Sequence, residues 1–200
     1  MDQIEGHYGS NHIIAGIDPS MTSTGLVIID SQGNILDQGL IETEPHDWVR
    51  DIDRFHYIRD QIIDKIKKFK VTLVVIEHFS YGSPGKQKSS RVFQLAGLGY
   101  IIRSSLATEN YKYYEVSPNS LKAFVAENGT ADKPMISAAI LEKYGLWYDP
   151  DKENDIADAY GLSRMLLCLG ERIIGFSEKG GAQKLKKLRK KLSETGELLI

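Results

Sequence analysis

The chain has 200 residues, 42% of them hydrophobic, a composition that suits one globular domain with a substantial core. Its formal charge of −2 gives no overall attraction to nucleic acid, and its single cysteine, Cys168, excludes a disulfide within the chain. No apolar run approaches the roughly 18 residues that a membrane-spanning helix needs, and residues 1–11 lack the basic and apolar regions of a signal peptide. We therefore expect a cytoplasmic protein without a membrane anchor.

Runs of apolar and β-branched residues predict five strands, and stretches with helical periodicity predict the helices between them. The predicted strands are 12–18, 24–30, 34–42, 71–77 and 111–116. The predicted helices are 46–69, 88–106, 118–127, 133–144, 151–170 and 182–192. This order predicts an α/β fold with a mixed five-stranded sheet flanked by helices, whose first three strands form an antiparallel meander.

Two acidic residues stand at the ends of predicted strands. Asp18 follows an apolar run and precedes Pro19, and Glu77 closes the run that begins at Val71. Ligand sites in α/β sheets gather at such strand ends, and a charge buried there is costly unless it is paired or binds a metal. The alternatives are that Asp18 caps a turn and that Glu77 points into solvent.

Two further acids lie three residues apart in a predicted helix, so Asp155 and Asp158 share one face and repel each other. Asp155 fits a helix start, where the helix dipole favours acids, but Asp158 lies too deep in the helix for that explanation. Hard divalent cations such as Mg²⁺ prefer oxygen ligands, and two of them can act on the attacking and leaving oxygens of a phosphodiester. Four carboxylates on three segments therefore predict a metal-dependent nuclease.

Basic and aromatic residues near these acids are candidate nucleic-acid contacts. Lys122 and Lys133 flank the segment 127–132 and could stabilise phosphate charge. Aromatic side chains just after Glu77 could stack on unpaired bases. The candidates that follow Glu77 in the chain are Phe79, Tyr81, Lys86 and Lys88. The alternative is that the lysines are solvated and the aromatic rings pack in the core.

The C-terminal region has its own charge. Residues 177–200 carry a net +4, which leaves −6 on the rest of the chain. The predicted helix 182–192 combines a leucine stripe with a basic face, and the residues expected to contact DNA phosphates are Lys186, Lys187, Arg189, Lys190 and Lys191. The alternative is a helix that simply docks on the domain. We expect a nuclease domain over residues 1–175 and a basic tail over residues 176–200.

Two glycines interrupt the predicted helix 88–106. Gly97 and Gly99 lie among apolar residues, and each internal glycine lowers helix stability by about 1 kcal/mol relative to alanine. Such small residues permit another helix to approach closely, either from the same chain or from a second subunit.

Taken together, these motifs resemble the RuvC family of Holliday-junction resolvases within the RNase H-like superfamily. The similarity spans about residues 12–170. Its four parts are Gly16-Ile17-Asp18-Pro19 with Thr24-Gly25, then Val75-Ile76-Glu77, then Ser117-Pro118 with Lys122, Gly129, Ala131, Asp132 and Lys133, and last Asp155-Ile156-Ala157-Asp158-Ala159.

The chain departs from the family pattern at two places. Ser20 stands where the family usually has glycine, and Ser80 stands where it usually has an aromatic residue, with Phe79 and Tyr81 adjacent. Ser20 and the basic tail are similar to the phage branch of the family, which would place the protein in a host cytoplasm.

The resemblance implies an endonuclease that resolves four-way and related branched DNA junctions as a homodimer formed through the helix 88–106. We expect the dimer contact to use Phe93, Leu95, Leu98 and Tyr100 or their neighbours. Asp18, Glu77, Asp155 and Asp158 would bind two Mg²⁺ ions, with Mn²⁺ as a substitute, and Lys122 and Lys133 would contact the scissile region. Three alternatives stay open: an RNase H-like nuclease acting on RNA or flaps, an ATPase of the actin and sugar-kinase fold, and a non-catalytic junction-binding module. The second needs two such domains, for which 200 residues are too few.

Overall fold

One mixed five-stranded sheet forms the centre of the computed structural model, which describes residues 12–79 and 89–170. The strands are β1 Ile14–Asp18, β2 Ser23–Ile29, β3 Ile35–Glu42, β4 Leu73–Glu77 and β5 Lys112–Val116. Their spatial order is β3-β2-β1-β4-β5. The first three strands are antiparallel neighbours, and β4 runs parallel to both β1 and β5. The predicted mixed sheet and its antiparallel meander are confirmed.

The helices lie between and after the last strands. They are α1 Asp51–Lys68, α2 Ser89–Thr108, α3 Pro118–Ala126, α4 Lys133–Tyr144 and α5 Asn154–Leu169, and a 3₁₀ turn, Pro45–Asp47, precedes α1. None of the helices in the described ranges is both long enough and apolar enough to cross a membrane. The predicted helix 182–192 lies outside the described residues.

Two predicted helices begin later than the sequence suggested. The helix predicted from residue 46 starts at Asp51, because Trp48 and Arg50 have extended backbones. The helix predicted from residue 151 starts at Asn154, because the preceding residues form a turn in which the Asp151 amide donates to Asp149 Oδ1 at 2.9 Å. This later start places Asp155 in the first turn of α5.

The sheet is covered on both faces. Alternate residues of β1 point in opposite directions, so Ile14 packs with α3, α4 and α5 on one face, and Ile17 packs with α1 and α2 on the other. The α1 residues Ile58, Ile62 and Ile66 are fully buried against that second face. The central strands are therefore apolar on both sides, as the continuous β-branched runs in the sequence predicted.

Helix α5 lies directly against the backbone of β1 and β2, at two glycines. A Cβ atom on Gly16 would overlap the Ala159 carbonyl oxygen and lie 2.9 Å from the Ser163 amide nitrogen. A Cβ atom on Gly25 would overlap the Asp155 carbonyl oxygen. Only glycine leaves room for this contact, so these two residues determine how closely α5 approaches the sheet.

The glycines of α2 have a local explanation. A Cβ atom on Gly97 would lie 3.1 Å from the ring of Phe55, so this glycine accommodates α1 of the same chain. Gly99 faces the guanidinium of Arg103 one turn further along α2. The close approach predicted at Gly97 is therefore intramolecular.

Replacing Gly25 by alanine should displace α5 and destabilise the protein. We expect Gly25→Ala to lower the free energy of unfolding by about 1–3 kcal/mol, the usual result of overpacking a core. Chemical denaturation followed by circular dichroism measures this quantity. The matched control is Gly39→Ala in β3, where an added Cβ meets nothing within 4 Å. Equal effects of the two substitutions would contradict a special role for the contact at Gly25.

Candidate active site

Two acidic residues leave the sheet at the same edge. Asp18 is the last residue of β1 and Glu77 is the last residue of β4. The two strands are parallel neighbours, and Ile17 pairs with Ile76 in their register. The carboxyl groups of Asp18 and Glu77 consequently interact by a side-chain hydrogen bond. Parallel strand ends meet at one edge of a sheet, which is where ligand sites of α/β folds form.

Helix α5 brings the other two acids to this edge. Asp155 lies in its first turn, where its Oδ1 accepts a hydrogen bond from the Asn154 side chain at 3.2 Å. Asp158 lies one turn further along the same face. Its Oδ1 is buried and has no hydrogen-bond partner in the part of the chain that the structure describes. A buried carboxylate oxygen without a donor is costly unless the group is protonated or binds a cation.

Burial and mutual repulsion raise the pKa values of the acidic side chains at this edge. Burial raises the pKa of Asp18 well above its usual range, and the charges of Glu77, Asp158 and Asp155 raise it further, in that order. Burial, followed by the charge of Asp158, raises the pKa of Glu77 to about 8. Burial also raises the pKa of Asp158 to about 6. All four acids are therefore close enough to repel one another, and Asp155 acts on each of the other three.

Two lysines partly offset this repulsion. Lys122 on α3 lowers the pKa of both Glu77 and Asp158, opposing the effect of burial. Lys133, the exposed first residue of α4, acts in the same direction on Asp158. The two helix starts are well defined, because Ser117 caps α3 and Asp132 caps α4. The structure thus brings both predicted lysines towards the acidic site.

A small cavity of about 120 Å³ adjoins Glu77. Pro19, Phe79 and Leu95 contribute to its wall, as does the largely buried Arg103 of α2. Arg103 donates a hydrogen bond of 2.6 Å to Glu115 Oε2. The same oxygen lies 3.8 Å from Nε2 of His78, the residue after Glu77. Phe79 is therefore beside the acidic site, as its position in the sequence suggested.

Sequence reasoning missed two charged residues near this edge. Arg103 lies in α2, which is mostly apolar, and pairs with Glu115 of β5. The two residues lie on different elements, so the pair is visible only in the folded structure. Arg54 is the second: it is 4% exposed and donates to the carbonyl of Met21, in the loop that follows Asp18. A signal for Arg54 existed, because it stands four residues before Ile58 on the apolar face of α1.

Other predicted contacts lie outside the described residues. These are Tyr81, Lys86, Lys88, Lys186, Lys187, Arg189, Lys190 and Lys191. Their roles, and the division of the chain at residue 175, stay predictions.

The carboxylate oxygens of the site are chemically suitable ligands for a divalent cation. Carboxylate oxygens are the ligands that hard cations prefer, and the unpartnered Asp158 Oδ1 is a buried oxygen of this kind. Within residues 12–79 and 89–170, no three acidic, histidine or cysteine side chains converge closely enough to hold an ion in their present positions. Burial and mutual repulsion raise the pKa values of Asp18 and Glu77, and a bound cation would relieve that repulsion.

The fold and the site define an α/β protein of the RNase H-like type with a carboxylate cluster at the carboxyl edge of its sheet. The family model of crossover junction endodeoxyribonuclease RuvC matches residues 14–164. A RuvC from a Synechococcus strain is 28% identical over 153 residues, which are 75% of this chain and 94% of that relative. A RuvC from Halothermothrix orenii is 27% identical and covers 76% of this chain and 89% of its own length.

Solved structures agree with this match. The structure of Thermus thermophilus RuvC has a TM-score of 0.63 at 19% identity and covers 80% of this chain and 96% of its own. The same protein in complex with a Holliday junction substrate has a TM-score of 0.62 at 16% identity, covering 81% of this chain and 96% of its own. These similarities confirm the RNase H-like fold.

The chain belongs to the RuvC family, because the family model matches three quarters of its length, from Ile14 to Arg164. Membership implies that its activity depends on a divalent metal ion. The predicted family is confirmed, and its phage branch stays a prediction.

The metal-free protein should lose stability as pH rises. The folded state raises the pKa of Glu77 from 4.5 to about 8, so between these values the folded protein holds a proton that the unfolded chain releases. Each such proton lowers the free energy of unfolding by about 1.4 kcal/mol per pH unit. Melting temperatures measured in a chelator should therefore fall between pH 5 and pH 8, and Mg²⁺ should restore more stability at pH 8 than at pH 5.5.

Glu77→Gln should reduce this pH dependence, because glutamine cannot release a proton, while the raised pKa values of Asp18 and Asp158 keep the remainder. The matched control is Glu42→Gln, which changes the exposed last residue of β3 and should leave the slope unchanged. A metal-free protein whose stability rises steadily from pH 5 to pH 8 would contradict the assignment of raised pKa values to this cluster.

Proposed function

We propose that this protein is an endonuclease that resolves four-way and related branched DNA junctions by hydrolysing phosphodiester bonds. The observation that carries the proposal is the carboxylate cluster of Asp18, Glu77, Asp155 and Asp158 at one sheet edge, within the region that matches the RuvC family. Relatives named as crossover junction endodeoxyribonucleases, and a neighbour solved with a Holliday junction, support the choice of substrate. The protein would act in the cytoplasm.

The cofactor would be Mg²⁺, two ions per site, with Mn²⁺ as a substitute. When bound, the ions would polarise the attacking water and stabilise the leaving oxygen of the phosphodiester. Asp18, Glu77 and Asp158 would hold them, with Asp155 at the edge of the set. Ion binding would compete with protonation of Asp18 and Glu77, whose pKa values are raised, so it should strengthen as pH rises.

Other residues of the chain would place the DNA. Lys122 and Lys133, whose charges already act on Asp158, would stabilise the negative charge of the scissile phosphate. Phe79 and Tyr81 would stack on unpaired bases at the branch point, and Lys86 and Lys88 would contact the backbone. The basic residues of the tail, 176–200, would bind the phosphates of the junction arms. Hydrolysis would leave a 3′-hydroxyl and a 5′-phosphate.

We also propose that the protein acts as a homodimer through α2. Phe93 and Tyr100 are 75% and 67% exposed and lie seven residues apart on one face of the helix. Leu98, which we expected at this interface, is fully buried within the chain and is excluded from it, and Leu95 is half-buried. A two-fold dimer would present two sites to a symmetric junction.

Sedimentation at micromolar concentration tests the dimer. Phe93→Ser with Tyr100→Ser should convert it to the 22.4 kDa monomer, whereas Trp147→Ser, at a residue that is 57% exposed after α4, should not. A wild-type protein that is monomeric even with junction DNA would contradict this part of the proposal.

The substrate is tested by a cleavage panel. With Mg²⁺, the protein should cut a four-way junction faster than a flap, a linear duplex or an RNA hybrid. Changes in residues that support metal ligands typically lower activity 10–100-fold. Asp18→Asn and Asp158→Asn should therefore lower the rate by more than about 100-fold while junction binding in a chelator persists. Asp151→Asn, at an exposed acid just before α5, is the matched control and should cleave like the wild type.

Three results would contradict the proposal. Faster cleavage of RNA or flaps than of four-way junctions would indicate an RNase H-like nuclease that acts on those substrates. Junction binding without any cleavage would favour a binding module. Near-wild-type cleavage by Asp18→Asn would show that the carboxylate cluster is not the active site.

A further inference from the structure

Arg54 is a buried charged residue on the apolar face of α1. It is 4% exposed and stands one turn before Ile58, which is fully buried. Burial lowers the pKa of Arg54, and the nearby charges of Asp51, Glu44 and Asp47 oppose this effect. A guanidinium is always protonated, so the chain buries a full positive charge here. Such a charge requires well-placed hydrogen-bond acceptors.

The acceptors of Arg54 lie in two segments, one of which is the loop that directly follows Asp18. Its Nε donates to Thr43 Oγ1 at 2.8 Å, and its Nη2 donates to the Thr43 carbonyl at 3.1 Å and also to the carbonyl of Met21. The Thr43 hydroxyl in turn donates to the Met21 carbonyl at 2.6 Å. The Thr43 amide donates to the Thr22 carbonyl at 3.0 Å. Arg54 and Thr43 together therefore bind two consecutive carbonyls of one loop.

That loop, residues 19–22, connects Asp18 at the end of β1 with the start of β2. Its inner side is held by Thr24, whose Oγ1 accepts from the Ser20 amide at 3.0 Å and donates to the Ser20 carbonyl at 2.7 Å. Its first residue, Pro19, lines the cavity beside Glu77. Asp18 thus lies between β1 and a loop that is fixed by Thr24 at one point and by Arg54 and Thr43 at another. Loss of these contacts would let the loop move, and the Asp18 carboxyl would move with it relative to Glu77.

We propose that Arg54 is a positioning residue, which fixes the loop 19–22 and thereby the place of the Asp18 carboxylate in the active site. The inference rests on the proposed endonuclease function. It explains why a charge is buried in α1, although an apolar side chain of similar volume would pack there without the desolvation cost. Displacing a reacting group by about 1 Å is enough to reduce a rate 100-fold.

The test compares variants of the full chain on a four-way junction. Arg54→Lys keeps the charge but loses the forked geometry that binds Met21 and Thr43 at once. Thr43→Val keeps Arg54 and removes the hydroxyl that links it to Met21. The matched control is Arg50→Ala, at an arginine of the same helix start whose side chain is 70% exposed and pairs with Asp53. Every variant is assayed at a temperature at which circular dichroism shows it fully folded.

Under single-turnover conditions with saturating protein, Arg54→Lys should cleave at least about 10-fold more slowly than the wild type. Its affinity for the junction in a chelator should stay within about 2-fold, since no proposed DNA contact changes. Thr43→Val should also slow cleavage. In the double variant Arg54→Lys with Thr43→Val, the fold-loss in cleavage rate should not exceed the product of the two single fold-losses, because both residues act on one loop. Hydrogen exchange of residues 20–24 should accelerate in both variants and stay unchanged in Arg50→Ala.

Several outcomes would overturn the inference. Wild-type cleavage and exchange in both Arg54→Lys and Thr43→Val would show that the loop does not depend on these contacts. Faster exchange with an unchanged cleavage rate would make Arg54 a structural residue only, and a loss confined to junction affinity would make the loop a DNA contact. If the wild type does not cleave junctions, the proposed function fails, whereas the exchange measurement still decides whether Arg54 holds the loop.

Discussion

The arrangement of the candidate active site depends on the contact between α5 and the backbone of β1 and β2. Gly16 and Gly25 have no Cβ atoms, so the carbonyl oxygens of Ala159 and Asp155 lie where those atoms would be. A helix normally packs on a sheet through side chains from both elements, which would hold it further away. Here the helix backbone meets the strand backbone, and the face that carries Asp155 and Asp158 lies beside Asp18.

This close packing brings four carboxyl groups near enough to repel one another. The sheet edge alone would bring together Asp18 and Glu77, which share a hydrogen bond. Adding Asp158 in a poorly hydrated place raises the proton affinity of the whole cluster, and Lys122 relieves it only in part. A cluster with excess negative charge and little water is stable when protonated or when it binds cations. The same burial that raises the pKa values of the metal-free cluster would favour the binding of divalent ions proposed above.

The sequence predicted most of the sheet and the acids because both follow from local patterns. Continuous β-branched runs mark the buried strands, and an acid at the end of such a run marks the sheet edge, as for Glu77. The later start of α5 was missed because Asp149 caps the preceding turn through a contact that periodicity does not report. Leu98 was misplaced because α2 is apolar on more than one side, so its pattern does not separate the core face from the exposed face.

Longer-range contacts were outside the reach of sequence reasoning. Gly16 and Gly25 belong to a motif that the sequence shows, but only the fold shows that α5 packs against their backbone. Arg54 and its acceptor Thr43 are eleven residues apart in sequence and meet across two elements, so no motif joins them. Residues of this kind act by holding others in place, and their chemistry becomes visible only when the acceptors are known.

Carbon-13 NMR titration of the side-chain carboxyls in the metal-free protein shows whether the packing of α5 on the sheet creates the acidic cluster. If contact of α5 with β1 and β2 creates the cluster, the Glu77 carboxyl of the wild type should titrate at about pH 8, and its pKa should fall towards the ordinary value of 4.5 in Gly25→Ala, as α5 and its two acids retreat. A wild-type Glu77 that titrates near 4.5, or a raised pKa that Gly25→Ala leaves unchanged, would contradict the account.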